Sequence, residues 1–242
     1  MPTYNGDFYK NRHAATVYAA ETVLSIVQEI IISEINSAVD VGCGVGTWLH
    51  VLKEKGAKDI LGIDGDWVNM DHLVIPAISF MQHDLNKKII LNKRYDLAIS
   101  LEVAEHLLPQ SAKGFIASLT NMADFVLFSA AIPGQGGTNH INEQWPDYWI
   151  ALFKEQGYAG LDIIRRQIWN YISIPFIYKQ NILLFVKEER IADLKLPCAI
   201  TEAIPLSIVH PELFLNLPIR ESFKLLCKSI QRRIKRETGV NS

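Results

Sequence analysis

The chain has no apolar run long enough to cross a bilayer, so no membrane-spanning helix is expected. It has few cysteines, and Cys43, Cys198 and Cys227 are odd in number and far apart. That usage fits neither a disulfide framework nor a metal-type spacing, and it points to reduced thiols in a cytoplasm. Excess charge of one sign is missing too. A formal net charge of -2 supplies no basic field for a nucleic-acid partner. The first residues lack a basic stretch followed by an apolar core, so no secretory signal is expected. Internal repeats and low-complexity tracts are absent as well. At 49% hydrophobic and 21% charged, the 242 residues can bury one substantial core.

Apolar periodicity and its breakers divide the chain into alternating helices and strands. A helix is expected over residues 12–33, then strands near 37–41, 59–63, 77–81, 95–101 and 124–130. Helical patterns at 46–56 and 111–122 lie between them. Such alternation implies a parallel sheet covered on both faces. After Pro133 come Gly134, Gln135, Gly136 and Gly137, then a helix over 146–156 that Gly157 stops. Strand-like runs at 161–169 and 180–187 follow. Residues 190–220, with four prolines, read as a linker or wrapped extension, and a last helix is expected over 221–236. Three regions result: an amino-terminal cap at 1–34, a ligand-binding domain at 35–189, and an extension at 190–242.

The densest functional signal is Asp40-Val41-Gly42-Cys43-Gly44-Val45-Gly46, an apolar strand running into closely spaced glycines and then a helix. Such a turn lets backbone pass against a ligand without interference from a Cβ. Asp64 ends the next apolar run, about 20 residues on, where a carboxylate can accept both hydroxyls of a ribose. A dinucleotide fingerprint needs a further glycine at position 47. Thr47 stands there, so a pyrophosphate-binding loop is disfavoured.

In these residues the chain resembles the class I S-adenosylmethionine-dependent methyltransferases, over roughly residues 35 to 187. The resemblance implies an α/β, Rossmann-like, seven-stranded and mostly parallel sheet with helices on both faces. It also implies S-adenosyl-L-methionine as cofactor. Asp40 would then lie near the methionine amino group, with Gly42, Gly44 and Gly46 beneath the cofactor. Asp64 would hold the ribose and Asp84 would sit beside the adenine amino group. Gly65, Trp67, Leu85, Leu101 and Glu102 complete the implied cofactor-binding set. Tyr9, Arg12 and His13 resemble the inward-facing residues of an amino-terminal cap over the cofactor.

Methyl transfer to a hydroxyl needs the acceptor in line with the sulfonium methyl and a destination for its proton. Strand 95–101 runs into Glu102-Val103-Ala104-Glu105-His106, and a helical turn there would set Glu102, Glu105 and His106 on one face. His140 follows the Gly-rich loop. This Glu-x-x-Glu-His text with a later His resembles two metal-dependent O-methyltransferase groups, the ubiquinone-biosynthesis enzymes and the small-RNA 2′-O-methyltransferases. That resemblance implies Mg²⁺ held by Glu102, Glu105, His106 and His140, lowering the pKa of the acceptor oxygen. Two other roles for His140 stay open. It can act without metal as a catalytic base, its ordinary pKa of about 6.5 suiting proton abstraction near neutrality, or it can be structural. The polar segment Thr138 to Gln144 suits a hydroxyl-rich acceptor, either a small molecule or a saccharide.

Of the aromatic residues near the mouth, Tyr4, Phe8, Tyr9, Trp48, Trp67, Trp145, Tyr148 and Trp149, most are expected in the core, and Trp67 is expected to touch the cofactor. In the last helix, Phe223, Leu226, Cys227, Ile230 and Ile234 face one way and six basic residues another, a pattern that fits peripheral contact with a membrane or anionic partner, although a solvated helix on its own domain is the more common source of it. The expected activity is O-methylation of a small-molecule or sugar hydroxyl, with RNA 2′-O-methylation or a non-catalytic cofactor-binding protein as the alternatives.

Overall fold

The strands are short apolar runs, and their neighbours on both faces explain why. The computed structural model describes residues 6–196, 206–216 and 227. Seven strands form one sheet: β1 (Ser37–Val41), β2 (Asp59–Asp64), β3 (Phe80–Gln82), β4 (Leu97–Leu101), β5 (Phe125–Ser129), β6 (Tyr158–Leu161) and β7 (Leu183–Lys187). Their order is β3-β2-β1-β4-β5-β7-β6. β1 to β5 pair in parallel, and β7 runs antiparallel to both β5 and β6.

Successive residues of the central strands feed opposite cores, as the pleat requires. Ala38, Leu97, Ile99 and Leu127 join one apolar cluster, while Val39, Ala98, Val126 and Phe128 join the other. Helices α1 (Gly6–Ile30) and α2 (Thr47–Glu54) contribute to the first cluster, and α3 (Ala112–Met122) and α4 (Pro146–Glu155) to the second. Two short helices, α5 (Arg165–Ile168) and α6 (Phe176–Asn181), lie between β6 and β7, and α7 (Glu212–Asn216) follows the sheet. Among the described residues, no helix is long and apolar enough to cross a membrane.

Three sequence expectations need correction. The run at 161–169 is not a strand: β6 ends at Leu161 and α5 begins at Arg165. Asp162 and Arg165 form a two-point ion pair, with Nη2 to Oδ2 at 2.6 Å and Nε to Oδ1 at 2.8 Å. Residues three apart meet on a helical turn and face opposite ways on a strand. Residues 180 and 181 close α6, so β7 begins only at Leu183. At 77–81, Pro76 precedes a 3₁₀ turn over Ala77–Ser79, and β3 starts at Phe80. The extension does wrap back: Ile31 bridges Leu194, and the Lys195 amide donates to the Ile30 carbonyl. The expected helix at 221–236, apart from Cys227, lies outside the described residues, as do Cys198 and Tyr4 and the side chains of Phe8, Tyr9, Arg12 and His13.

The strand order reverses between β1 and β4. In open α/β sheets the crevice at the carboxyl ends of such a pair receives the ligand. The loops leaving β1 and β4 meet there.

Candidate active site

After β1 the chain turns through Gly42, Gly44 and Gly46, with φ of 84°, 53° and 89°. A Cβ on Gly42 would lie 2.2 Å from Val103, whereas one on Gly44 meets nothing within 4 Å. Gly42 therefore lets the β1 and β4 loops touch, and Gly44 leaves its surface open. The loop is pinned by Asp64, whose Oδ2 accepts from the Gly44 amide at 2.7 Å and whose Oδ1 accepts from the Gly65 amide at 2.7 Å. Burial pushes the Asp64 carboxyl upward, against the lowering effect of those amides and of Trp67. Asp40 is only 2% exposed, and burial followed by the charge of Asp64 holds its carboxyl well above the ordinary range.

A cavity of about 640 Å³ opens over this loop, lined by Gly42, Gly44, Asp64, Trp67, Leu85, Glu102, Val103, His106 and Asn139 among others. A second cavity of about 480 Å³ shares Trp67 with it and holds Gly65, His83 and Asp84 on its wall. Trp67 is 70% exposed, and its ring lies across Gly65 at a place where a Cβ would come within 2.2 Å. Asp84 is exposed and pairs with Lys87 at 3.4 Å. Among the residues expected at the cofactor, Gly46 instead packs under Ile75, and Leu101 is half-buried in β4.

The β4 end departs from the expected helical turn. Glu102 adopts φ 56°, left-handed for a residue with a side chain, and the 3₁₀ turn begins two residues later at Ala104–His106. Such a conformation costs about 1–3 kcal/mol and persists when its surroundings over-determine it. Here the Glu102 amide donates to the Ser129 carbonyl at 3.0 Å. The carboxylate accepts from Asn181 Nδ2 at 3.0 Å and from Gln135 Nε2 at 2.9 Å. These bonds hold the Glu102 carboxylate toward Gln135 and Asn181, and it is not part of the cluster that Glu105 and His106 form with His140.

Glu105, His106 and His140 do come together. One ligand atom from each lies within 4.8 Å of the others, and the two imidazole rings meet edge to face at 4.7 Å. Glu105 is fully buried and neither of its oxygens has a hydrogen-bond partner of ordinary geometry. Burial, and then the charge of Glu102, push its carboxyl up to about 9. The His140 loop is docked on this turn: the Glu105 carbonyl accepts from the Ile141 and Asn142 amides, both at 2.9 Å. Nδ1 of His140 lies 3.0 Å from Glu143 Oε1, and Glu143 in turn accepts from the Gly134 and Gly136 amides. Burial opposes ionisation of Glu143, but these bonds prevail and hold its carboxyl below the ordinary value. His106 is shifted down by burial and then by the charge of His140.

Trp48 packs edge to face on Tyr178, and Trp149 packs on Phe128, so both belong to the core. Gln135 and Asn181 were not legible as site residues. The one hint was the polar triplet Lys179-Gln180-Asn181 set directly before an apolar strand.

Residues 12–129 match the family model described as a methyltransferase domain. The chain has the fold of the class I methyltransferases, and this part of it is similar to a methyltransferase domain. Solved structures agree in fold. Magnesium protoporphyrin IX methyltransferase from Synechocystis PCC 6803, with bound S-adenosylhomocysteine, is 19% identical over 77% of this chain and 90% of its own, with a TM-score of 0.52. DesVI from Streptomyces venezuelae is 14% identical over 74% of this chain and 94% of its own, with a TM-score of 0.54. No curated protein matches the sequence. The residues matched by the family model extend from α1 to the last residue of β5. They include the glycine loop, Asp64, Glu102, Glu105 and His106, whereas His140, Gln135 and Asn181 come from chain beyond the match.

Proposed function

We propose that the protein transfers the methyl group of S-adenosylmethionine to a hydroxyl of a small-molecule or saccharide acceptor. The observation that carries this reading is the cluster of Glu105, His106 and His140, of which His106 also lines the cavity above the glycine loop. The two imidazoles, with the buried Glu105 behind them, provide a destination for a hydroxyl proton beside the methyl donor.

The cofactor fits the cavity on its own terms, because Gly44 presents bare backbone to it and Asp64 and Trp67 flank that backbone. In this reading Gly42 and Gly44 lie beneath the cofactor, Asp64 takes the ribose, Trp67 and Leu85 contact the adenine, and Asp84 lies at its edge. Asp40 and Glu102 attend the methionine end. The polar loop around Asn139, left-handed at φ 60°, faces the acceptor.

The donor set also fits Mg²⁺, since Glu105 has two oxygens seeking a partner and two histidines stand beside it. Glu105, His106 and His140 would hold the ion, with Glu102 outside the set, and a bound ion lowers the pKa of a hydroxyl oxygen. A metal-free reading has its own observation. Glu143 on Nδ1 orients His140 as a catalytic base would be oriented, so that Nε2 can take the acceptor proton. The same proposal keeps residues 35–189 as the working domain, with a cap at 1–34 and an extension at 190–242, and places the protein in the cytoplasm, where Cys43 and Cys227 remain free thiols.

Calorimetric titration of chelator-treated protein with S-adenosylhomocysteine, then with Mg²⁺, repeated on Glu105→Ala, tests the reading. Heat from both ligands, with the metal signal lost in the variant, supports the metal-assisted form. Cofactor heat alone supports the His140 form. No cofactor heat overturns the proposal.

A further inference from the structure

The bonds to Glu102 do not end at Asn181 and Gln135. Gln180 Nε2 donates to Gln135 Oε1 at 3.0 Å and to Asn181 Oδ1 at 3.1 Å, and Asn181 Nδ2 also reaches Gln135 Oε1 at 2.9 Å. Gln180 Oε1 accepts in its turn from the main-chain amide of His210 at 3.0 Å. All three amide side chains are buried. A main-chain N–H can only donate, so the His210 amide fixes which end of Gln180 is oxygen. The Gln180 NH₂ must then donate, which fixes Gln135 and Asn181. Both of these end as donors on the two oxygens of Glu102. Direction runs one way, from the segment after the sheet to a carboxylate on the cavity wall. A carboxylate can accept at two lone pairs on each oxygen, so the two amide donors do not saturate Glu102.

The segment that starts the chain is firmly held. Arg165, fully buried, donates to the carbonyls of Gln180 and Leu206 at 2.8 and 3.0 Å. Lys179 reaches Glu212 at 2.6 Å, and Ser207 donates to Asp147 at 2.8 Å. Two buried cations, Arg165 and Lys179, thus converge on this segment, although none of its described residues lines the cavity.

We propose that Gln135, Gln180 and Asn181 are positioning residues of the methyl-donor site, a directional hydrogen-bond chain that presents Glu102 to the cofactor's ammonium group and makes the segment around His210 a working part of the site. This rests on the cavity being the cofactor site. An ammonium is the cationic donor at the methionine end of the cofactor, and the lone pairs left on Glu102 suit it. Without its amide donors Glu102 would lose the orientation of its carboxylate, with only the Ser129 bonds left to hold its left-handed backbone.

The test compares two ligands, S-adenosylhomocysteine and 5′-methylthioadenosine, which shares the adenosine but lacks the amino-acid end. Wild type, Asn181→Leu and Gln180→Met are titrated with each, and their thermal unfolding is recorded alongside. The expected result is about tenfold weaker S-adenosylhomocysteine binding in both variants, the scale of one charged hydrogen bond, with methylthioadenosine affinity unchanged. A purely structural role would weaken both ligands alike, and that result, or no change in either, overturns the proposal. If the α6 variants lose cooperative unfolding, Gln135→Met, on a loop, is read by the same comparison. Failure of the wild type itself to bind S-adenosylhomocysteine would remove the cofactor reading, and this inference with it.

Discussion

Asp64 is the residue on which the donor site most depends. It is the shared acceptor for the Gly44 and Gly65 amides, so Asp64→Ala leaves two loop N–H groups without their anion. Titration of this variant should show S-adenosylhomocysteine binding weakened at least about tenfold. Asp40 should behave in the opposite sense toward stability. Its folded pKa stands above the ordinary 3.8, so the folded state binds the proton more tightly than the unfolded chain. That contribution is fully present below the unfolded pKa and is lost as pH rises toward the folded one. Melting curves of Asp40→Asn against wild type should therefore separate increasingly from about pH 4 upward, the variant being the more stable near neutrality. Gly42→Ala combines a positive φ with a 2.2 Å approach to Val103 and should destabilise by about 1–3 kcal/mol. Adding Val103→Ala in urea unfolding should return the packing part of that loss and leave the backbone part.

At the scale of elements, the turn after β4 shows where reading along the chain stops. The spacing Glu-x-x-Glu-His was legible, and a continuous helical turn was the natural inference from it. The fold instead places Glu102 in the left-handed region, because Ser129 on β5 and the amides of Gln135 and Asn181 hold it there. Those partners are 27 to 79 residues distant, beyond the reach of any local periodicity. The Asp162 and Arg165 pair at the β6 to α5 junction behaves likewise: an apolar run looked like strand, and a buried guanidinium turned it into a helix. Asp162→Ala would strand that guanidinium with only carbonyl partners. Urea unfolding should show a loss of about 3–5 kcal/mol, the usual cost of breaking a buried pair from one side.

For the molecule as a whole, the site joins loops from β1, β2 and β4 with chain from beyond β5, so cofactor binding should stabilise the entire domain. Saturating S-adenosylhomocysteine at about a hundred times its dissociation constant should add about 2.7 kcal/mol, read as a rise in melting temperature, and Asp64→Ala at the same concentration should cut that gain to about 1.4 kcal/mol or less. The sequence by itself determined the alternation that makes a parallel sheet, the glycine turn after β1, the acid that ends β2 and the histidines near the acceptor side. Each of these is written within a few residues, as a period or a turn requirement. Only the tertiary structure decided that Glu105, His106 and His140 meet while Glu102 is held by other partners, and that Gln135, Gln180, Asn181 and the His210 amide stand behind Glu102. The physical reason is that hydrogen bonds between distant buried groups depend on how the sheet, α6 and the C-terminal segment pack, and packing has no period in the chain.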